Sequence, residues 1–99
     1  MTIKKTLDQG KICLSLADRL DSITAPQLEC ELDAIPEGVK ELTIDLKELS
    51  YMSSAGLRLM LKAHKKMTVQ GGSMKVIGAN AMIAEVFEIT GFAEVLTIE

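Results

Sequence analysis

The chain has 99 residues, of which 47% are hydrophobic and 25% charged, and its formal net charge is −3. A chain of this length folds around one core, so we expect a single domain over residues 1–99. The negative charge disfavours nucleic acid as a direct partner, because phosphate binding usually requires a basic surface. No uncharged run exceeds nine residues. A helix that spans a bilayer needs roughly 20 apolar residues, so we also expect no membrane association.

The cysteines and the N-terminal segment indicate the compartment. Cys13 and Cys30 are too few for a disulfide framework, and we expect both to be reduced thiols. The first residues, "MTIKKTLDQGK", are charged early and lack the apolar run of a signal peptide. We therefore expect a cytoplasmic protein.

The first half of the chain predicts a hairpin, a helix and a strand. Apolar residues alternate with small ones over 11–17, and a weaker strand over 2–7 precedes them across "DQG", a typical turn sequence. The segment "TAPQLECELDAIPEG" predicts a helix that begins with a capping box between Thr24 and Gln27 and ends at "PEG". Alternation returns over 41–46, which indicates a half-buried strand.

The second half predicts two more helices and two more strands. One helix follows the serines of "YMSSAG" and ends at Gly71. A strand over 73–77 comes next, then a helix from the N-cap Asn80 to Thr90 with Gly91 as the C′ residue, and a last short strand, "EVLTIE". Helical connections between strands require parallel pairing. The sequence therefore predicts an α/β fold: a mostly parallel mixed sheet of about five strands, an antiparallel N-terminal hairpin and about three to four flanking helices.

The adjacent Ser53 and Ser54 admit three interpretations. Either can cap the helix that follows, a role typically worth about 1 kcal/mol relative to alanine. As a nucleophile, the serine of "MSSAG" has no base within reach, because His64, the only histidine, lies ten residues along the same helix, roughly 15 Å away by helical rise. A hydroxyl at a helix N-terminus is also suited to phosphorylation by a kinase, since the helix dipole favours the phosphate.

We predict no catalytic residues, no cofactor and no metal site. The glycine motifs of nucleotide-binding proteins, H-E-x-x-H and the Cys/His spacings of zinc sites are all absent from the sequence. His64 is expected on the core-facing side of its helix, together with Leu57, Met60 and Leu61. Without an acid, a base and a nucleophile that can meet, we expect that the chain is not an enzyme.

The opposite side of the same helix is a candidate docking surface. At roughly 100° per residue, Leu59 lies almost opposite Leu57 and shares its side with Ala55, Arg58 and Lys62. An outward leucine beside basic residues is suited to protein binding. A solvated helix face with one isolated leucine explains the pattern equally well, because single exposed apolar residues are common.

The segment "DLKELSYMSSAGLRLMLKAHKKM" resembles the signature of STAS domains, above all of the small bacterial anti-sigma factor antagonists. The upstream "ADRLDSITAPQL" and the downstream "VFEITGFAEVL" resemble two further stretches of the family, so the resemblance covers nearly the whole chain. It implies a partner switch. The unmodified form binds an anti-sigma factor that is also a serine kinase and thereby frees the sigma factor, phosphorylation breaks that complex, and a serine phosphatase restores it.

By position, the resemblance assigns the phosphoacceptor to Ser54 and places Asp21 near the same tip, where it can orient the acceptor or the partner. Family members usually carry an acidic residue where this chain has Ser53, so Ser53 is an alternative acceptor. For the same reason, a non-switching STAS scaffold subunit of a signalling or transport assembly is the alternative function. We expect a monomer when the protein is free. The expected partner-binding residues are Asp21, Ser22, Ser53, Ser54, Ala55, Arg58, Leu59 and Lys62.

Overall fold

The structure, a computed structural model, describes all of residues 1–99. The strands are β1 (Thr2–Asp8), β2 (Lys11–Leu20), β3 (Glu41–Met52), β4 (Ser73–Ile77) and β5 (Thr97–Ile98). The helices are α1 (Ala25–Asp33), α2 (Ser54–Val69), α3 (Ala81–Ile89) and α4 (Phe92–Val95). None of the four helices combines the length and the apolar composition that crossing a membrane requires.

The five strands form one mixed sheet in which spatial order follows chain order. β1 pairs antiparallel with β2, and each later strand pairs parallel with the one before it. At least one helix lies between the strands of every parallel pair, as parallel connections require. The predicted α/β fold with its antiparallel N-terminal hairpin is confirmed.

One face of the sheet and the helices enclose a single core. Leu14 and Ile44 on the central strands are fully buried in the same cluster as Leu32 of α1, Met60 of α2 and Phe87 of α3. Alternate side chains of β2 and β3 point to the other face, where they stay partly accessible. The core therefore lies on the helix side of the sheet.

The hairpin between β1 and β2 is closed by a two-residue turn. Asp8 pairs with Lys11, and the intervening Gln9 and Gly10 have φ angles of 47° and 79°. Positive φ at both central positions is the signature of a type I′ turn, whose twist matches that of the strands. The predicted "DQG" turn is confirmed.

β2 and β3 are longer than the sequence pattern predicts. β2 continues to Leu20 and β3 to Met52, beyond the predicted ends at 17 and 46. The pairing register of the two strands shifts twice in this region, and Asp18 adopts a φ of 75°. These irregularities break the two-residue alternation, so the pattern alone does not reveal the extension.

The capping box predicted for α1 is wrong. The Thr24 hydroxyl donates to the Arg19 carbonyl at 2.9 Å and accepts from the Asp21 amide at 2.9 Å. The Gln27 side chain donates to the Met1 carbonyl at 3.0 Å. Backbone groups three and five residues before Thr24 thus take its hydroxyl, and a residue far away in sequence takes the Gln27 amide, so neither group is left for a cap.

The C-terminal segment confirms two predictions and corrects one. The Asn80 side chain caps α3, and Gly91 has the φ of 79° expected after a helix end. The segment "EVLTIE" is not one strand. The Glu94 amide donates to the Gly91 carbonyl and the Leu96 amide to the Phe92 carbonyl, which forms α4 and shortens β5 to two residues.

Candidate functional site

The carboxyl ends of β2 and β3 meet at one edge of the sheet. The Ser53 amide donates to the Leu20 carbonyl at 2.9 Å. Asp21 and Ser22 follow Leu20 directly, and Ser54 follows Ser53. The structure therefore brings Asp21, Ser22, Ser53 and Ser54 to the same edge, a site that we call the serine tip.

The two adjacent serines of the tip, Ser53 and Ser54, differ in environment. Ser53 occupies the N-cap position of α2, but its side chain makes no capping hydrogen bond, and its Oγ atom is buried without a partner. Ser54 is the first residue of α2 and is exposed. A side-chain cap, one of the three interpretations, is therefore wrong for Ser53, and of these two serines only Ser54 is exposed.

The first turn of α2 lies unusually close to the ends of both strands. A Cβ atom placed on Gly56 would lie 2.7 Å from Cγ of Met52 and 2.8 Å from Cγ of Leu20. Real Cβ atoms do not approach other heavy atoms so closely, so this position requires glycine. The close packing fixes the position of Ser54 relative to the sheet.

Asp21 organises the loop on the other side of the tip. Its Oδ1 atom accepts from the backbone amides of Ile23 at 3.0 Å and Thr24 at 3.1 Å. The hydrogen bond from the Thr24 amide is the main cause that holds the pKa of Asp21 below its usual value. The carboxylate is therefore charged at neutral pH and ties down the start of α1.

Arg19 links this loop to β3. Its Nε atom lies 3.7 Å from Oδ2 of Asp21, and its guanidinium carbon lies 4.3 Å from the centre of the Tyr51 ring, within cation–π distance. Arg19 and Tyr51 are direct partners in the β2–β3 register. Sequence reasoning missed this pair, because the register shifts in β2 conceal which residues face each other.

The docking surface predicted around Leu59 is corrected by the structure. Leu59 exposes only 7% of its surface and belongs to the core, and Ala55 is half-buried. Helix α1 packs against α2, and Lys62 of α2 binds two acids of α1. A neighbouring helix thus covers the side that the helical wheel assigned to solvent.

The face of α2 that packs on the sheet also differs from the prediction. Leu57 and Met60 are buried as predicted, but Leu61 and His64 are only half-buried. Ala63, which the prediction omitted, is fully buried. Because α1 and the sheet both contact α2, the buried surface of α2 is broader than one stripe and includes Leu59 and Ala63.

The two basic residues of the predicted surface have different partners. The Lys62 ammonium lies 2.7 Å from Oε2 of Glu29 and 3.2 Å from Oδ1 of Asp33. The hydrogen bond to Glu29 is the main reason that the pKa of Lys62 is raised. Arg58 is exposed and takes part in no ion pair. Arg58 is therefore the free positive charge of the first turns of α2.

The serine tip is a surface and not a cavity. The largest depression, of about 500 Å³, lies away from it and is lined by Glu37, Lys40, Lys66, Val69 and Gln70. The two smaller depressions do not include either serine. No group of three or more His, Cys, Asp or Glu residues is placed to hold a metal ion. Small substrates usually occupy concave sites, whereas an exposed helix end is suited to contact with another protein.

Comparison with known proteins identifies the family. The family model described as STAS domain matches residues 2–99. The chain is 34% identical to BtrV of Bordetella bronchiseptica, named as a candidate anti-sigma factor antagonist, over 97% of this chain and 85% of that protein. It is 32% identical to the anti-sigma-B factor antagonist of Bacillus subtilis, over 92% of this chain and 84% of that protein.

Solved structures agree on the fold. The anti-sigma factor antagonist SpoIIAA in its unphosphorylated form superposes with a TM-score of 0.79 at 15% identity, over 99% of this chain and 87% of that one. The phosphorylated form of SpoIIAA, a Bacillus cell fate determinant, superposes with a TM-score of 0.79 at 16% identity, over 99% of this chain and 91% of that one. The chain belongs to the STAS domain family.

Proposed function

We propose that this protein is an anti-sigma factor antagonist whose binding is switched by phosphorylation of Ser54. In its unmodified form it binds an anti-sigma factor that is also a serine kinase, and so frees the sigma factor. Phosphorylation of Ser54 breaks the complex and a serine phosphatase restores it. The relatives named as anti-sigma factor antagonists, and the neighbour solved in a phosphorylated form, support this proposal.

The contrast between the two serines carries the assignment of the acceptor. Ser54 is exposed at the start of α2, whereas Oγ of Ser53 is buried. A kinase must reach the hydroxyl oxygen that attacks the γ-phosphate of ATP. Ser54 meets that requirement without a rearrangement, so it is favoured over Ser53.

Arg58 supplies a physical route for the switch. It lies four residues after Ser54, on the same face of α2, and has no ion-pair partner. In the unmodified protein its charge is free for an acidic group of the partner. A phosphate on Ser54 adds a charge of about −1.5 to −2, which would repel that group and attract Arg58 to itself.

The proposal also includes features that the serine tip does not determine. The protein performs no catalysis, is one STAS domain over residues 1–99, is a monomer when free, and acts in the cytoplasm of a bacterium. The partner contacts the serine tip and Arg58. Because Lys62 is held by acids of α1 and Leu59 is buried, these two contribute to binding only through the shape of α2.

The experiment pairs the protein with the serine-kinase anti-sigma factor of its host. With ATP, mass spectrometry is expected to find one phosphate on wild type and on Ser53→Ala, and none on Ser54→Ala. Ser54→Asp is expected to bind the kinase at least about tenfold more weakly than Ser54→Ala, since like charges at an interface oppose association. If neither serine carries phosphate and Ser54→Asp binds the kinase as tightly as Ser54→Ala does, these results would falsify the switch.

One observation favours a second function. By the family resemblance, Ser53 stands where other members usually have an acidic residue. A domain that is never phosphorylated would not need that acid. Such a protein would be a constitutive STAS subunit of a signalling or transport assembly. Purification from the host would then yield a stable complex of several subunits without any kinase.

A further inference from the structure

Helix α3 carries an apolar stripe along the edge of its core-facing side: the middle residue, Val86, packs against the core, and the two ends are exposed. Ile83 and Phe87 point inward and are buried, whereas Met82 and Ile89 expose 53% and 75% of their surfaces. Val86, partly buried, lies between them on the helix surface, because positions 82, 86 and 89 follow the i, i+4, i+7 spacing. Nothing in the chain covers the two ends of this stripe.

The surroundings of the stripe are acidic. Glu85 and Glu88 of α3 and Glu94 of α4 are exposed, and none of the three forms an ion pair. Neither helix contains Lys or Arg, and no basic residue follows Lys75 in the sequence. The surface thus combines exposed apolar side chains with negative charge that the fold leaves uncompensated.

We propose that this α3 surface binds a basic amphipathic helix of another protein. Such a helix would place apolar side chains on Met82, Val86 and Ile89 and its Lys or Arg side chains near Glu85 and Glu88. Burial of the apolar side chains supplies affinity, and the opposite charges increase the association rate and exclude acidic competitors. The inference goes beyond the proposed switch, because it requires neither Ser54 nor Arg58.

Charge also decides between a basic partner and a second copy of this chain. A symmetric dimer through α3 would place the same surface on both sides of the interface. Glu85 and Glu88 of one copy would then approach the same carboxylates of the other. Like charges facing each other oppose that association, whereas a basic helix removes the repulsion.

The test uses the full-length chain labelled with ¹⁵N and a synthetic peptide of leucine and lysine, with leucines at i, i+3, i+4 and i+7. NMR titration is expected to give saturable shift changes centred on residues 82–89, weaker as salt is raised. The double variant Met82→Gln/Ile89→Gln should bind about tenfold more weakly, since each exposed apolar side chain loses part of its burial. Glu85→Lys/Glu88→Lys should abolish binding.

The controls make the result decisive. Val69, on α2, is 87% exposed, so Val69→Gln removes an equally accessible apolar side chain elsewhere and should bind like wild type. A peptide with glutamate in place of lysine should not bind. The proposal would be overturned by shift changes centred on another surface or by a titration that does not saturate. It would also be overturned if Val69→Gln weakened peptide binding as much as Met82→Gln/Ile89→Gln does. Self-association of the chain that Met82→Gln/Ile89→Gln removes would overturn it as well, because the occupant would then be a second copy.

Discussion

Leu20 and Ser53 are joined by a hydrogen bond of 2.9 Å, in which the Ser53 amide donates to the Leu20 carbonyl. The side chain of Leu20 also packs against Gly56, in the first turn of α2. The end of β2, the end of β3 and the first turn of α2 are therefore held together through one residue. The position of Ser54 depends on this junction.

Gly56→Ala tests the close packing at the junction. Alanine is the better helix former by about 1 kcal/mol, but its Cβ would meet Leu20 and Met52 at 2.7 to 2.8 Å. Overpacking of a core typically costs about 1–3 kcal/mol, so we expect a lower free energy of unfolding in urea. Gly38→Ala is the matched control, since nothing lies within 4 Å of that position. A Gly56→Ala variant as stable as wild type would contradict the packing argument.

Ser53→Ala tests whether the Ser53 hydroxyl caps α2. Its Oγ atom is buried and unpartnered, so removing it should leave the free energy of unfolding within about 0.5 kcal/mol of wild type or raise it. Asn80→Ala is the contrasting variant, because the Asn80 side chain accepts from the Ile83 amide at 2.8 Å. Loss of that cap should lower the free energy of unfolding by about 0.5–2 kcal/mol. Equal losses in the two variants would show that Ser53 is a cap after all.

Asp21→Asn tests the ionised state of the loop at the tip. The pKa of Asp21 is lowered in the folded protein, chiefly by the hydrogen bond from the Thr24 amide. Its stabilising effect is therefore complete above the unfolded-state pKa of about 4 and is lost as the pH falls through the folded-state value. Urea unfolding should find Asp21→Asn less stable than wild type at neutral pH, with a difference that shrinks in acid. A difference that stays constant with pH would exclude this mechanism.

Arg58→Ala and Lys62→Ala form a matched pair for the proposed interface. Both side chains are basic and belong to α2, but only Lys62 is engaged by acids within the chain. Calorimetry with the anti-sigma factor should find binding weakened about fivefold or more by Arg58→Ala and less than about twofold by Lys62→Ala. Lys62→Ala should instead lower the free energy of unfolding slightly, as the loss of exposed ion pairs does. The reverse order of binding losses would remove Arg58 from the interface.

The regular part of the fold could be predicted from the sequence because its signals are local. The type I′ turn at Gln9 and Gly10, the cap at Asn80 and the end of α3 at Gly91 are each determined by a few adjacent residues. The capping box at Thr24 failed for the complementary reason. The Thr24 hydroxyl bonds backbone groups of Asp21 and Arg19 instead, and the Gln27 amide bonds Met1, a tertiary contact that no local pattern encodes.

The candidate site was predictable in position but not in detail. Parallel strands end at one edge of a sheet, so the order of elements already places Asp21 and Ser53 near each other. The burial of Leu59 depends on where α1 packs, and a helical wheel contains no information about neighbouring helices. The different exposures of Ser53 and Ser54 depend on the close approach of α2 to Leu20, a tertiary contact that only the structure reveals.

The two outer strands also limit how this protein can associate. β1 is accessible along nearly its whole length but carries Lys4, Lys5 and Asp8, and β5 has only two residues. Charged or very short edge strands resist pairing with strands of other molecules, which protects a sheet against aggregation. Growth of the sheet by addition of a foreign strand is therefore disfavoured at both ends. Partners that bind reversibly therefore have the helices and the loops to contact. Contacts there can form and break without disturbing the backbone pairing of the sheet.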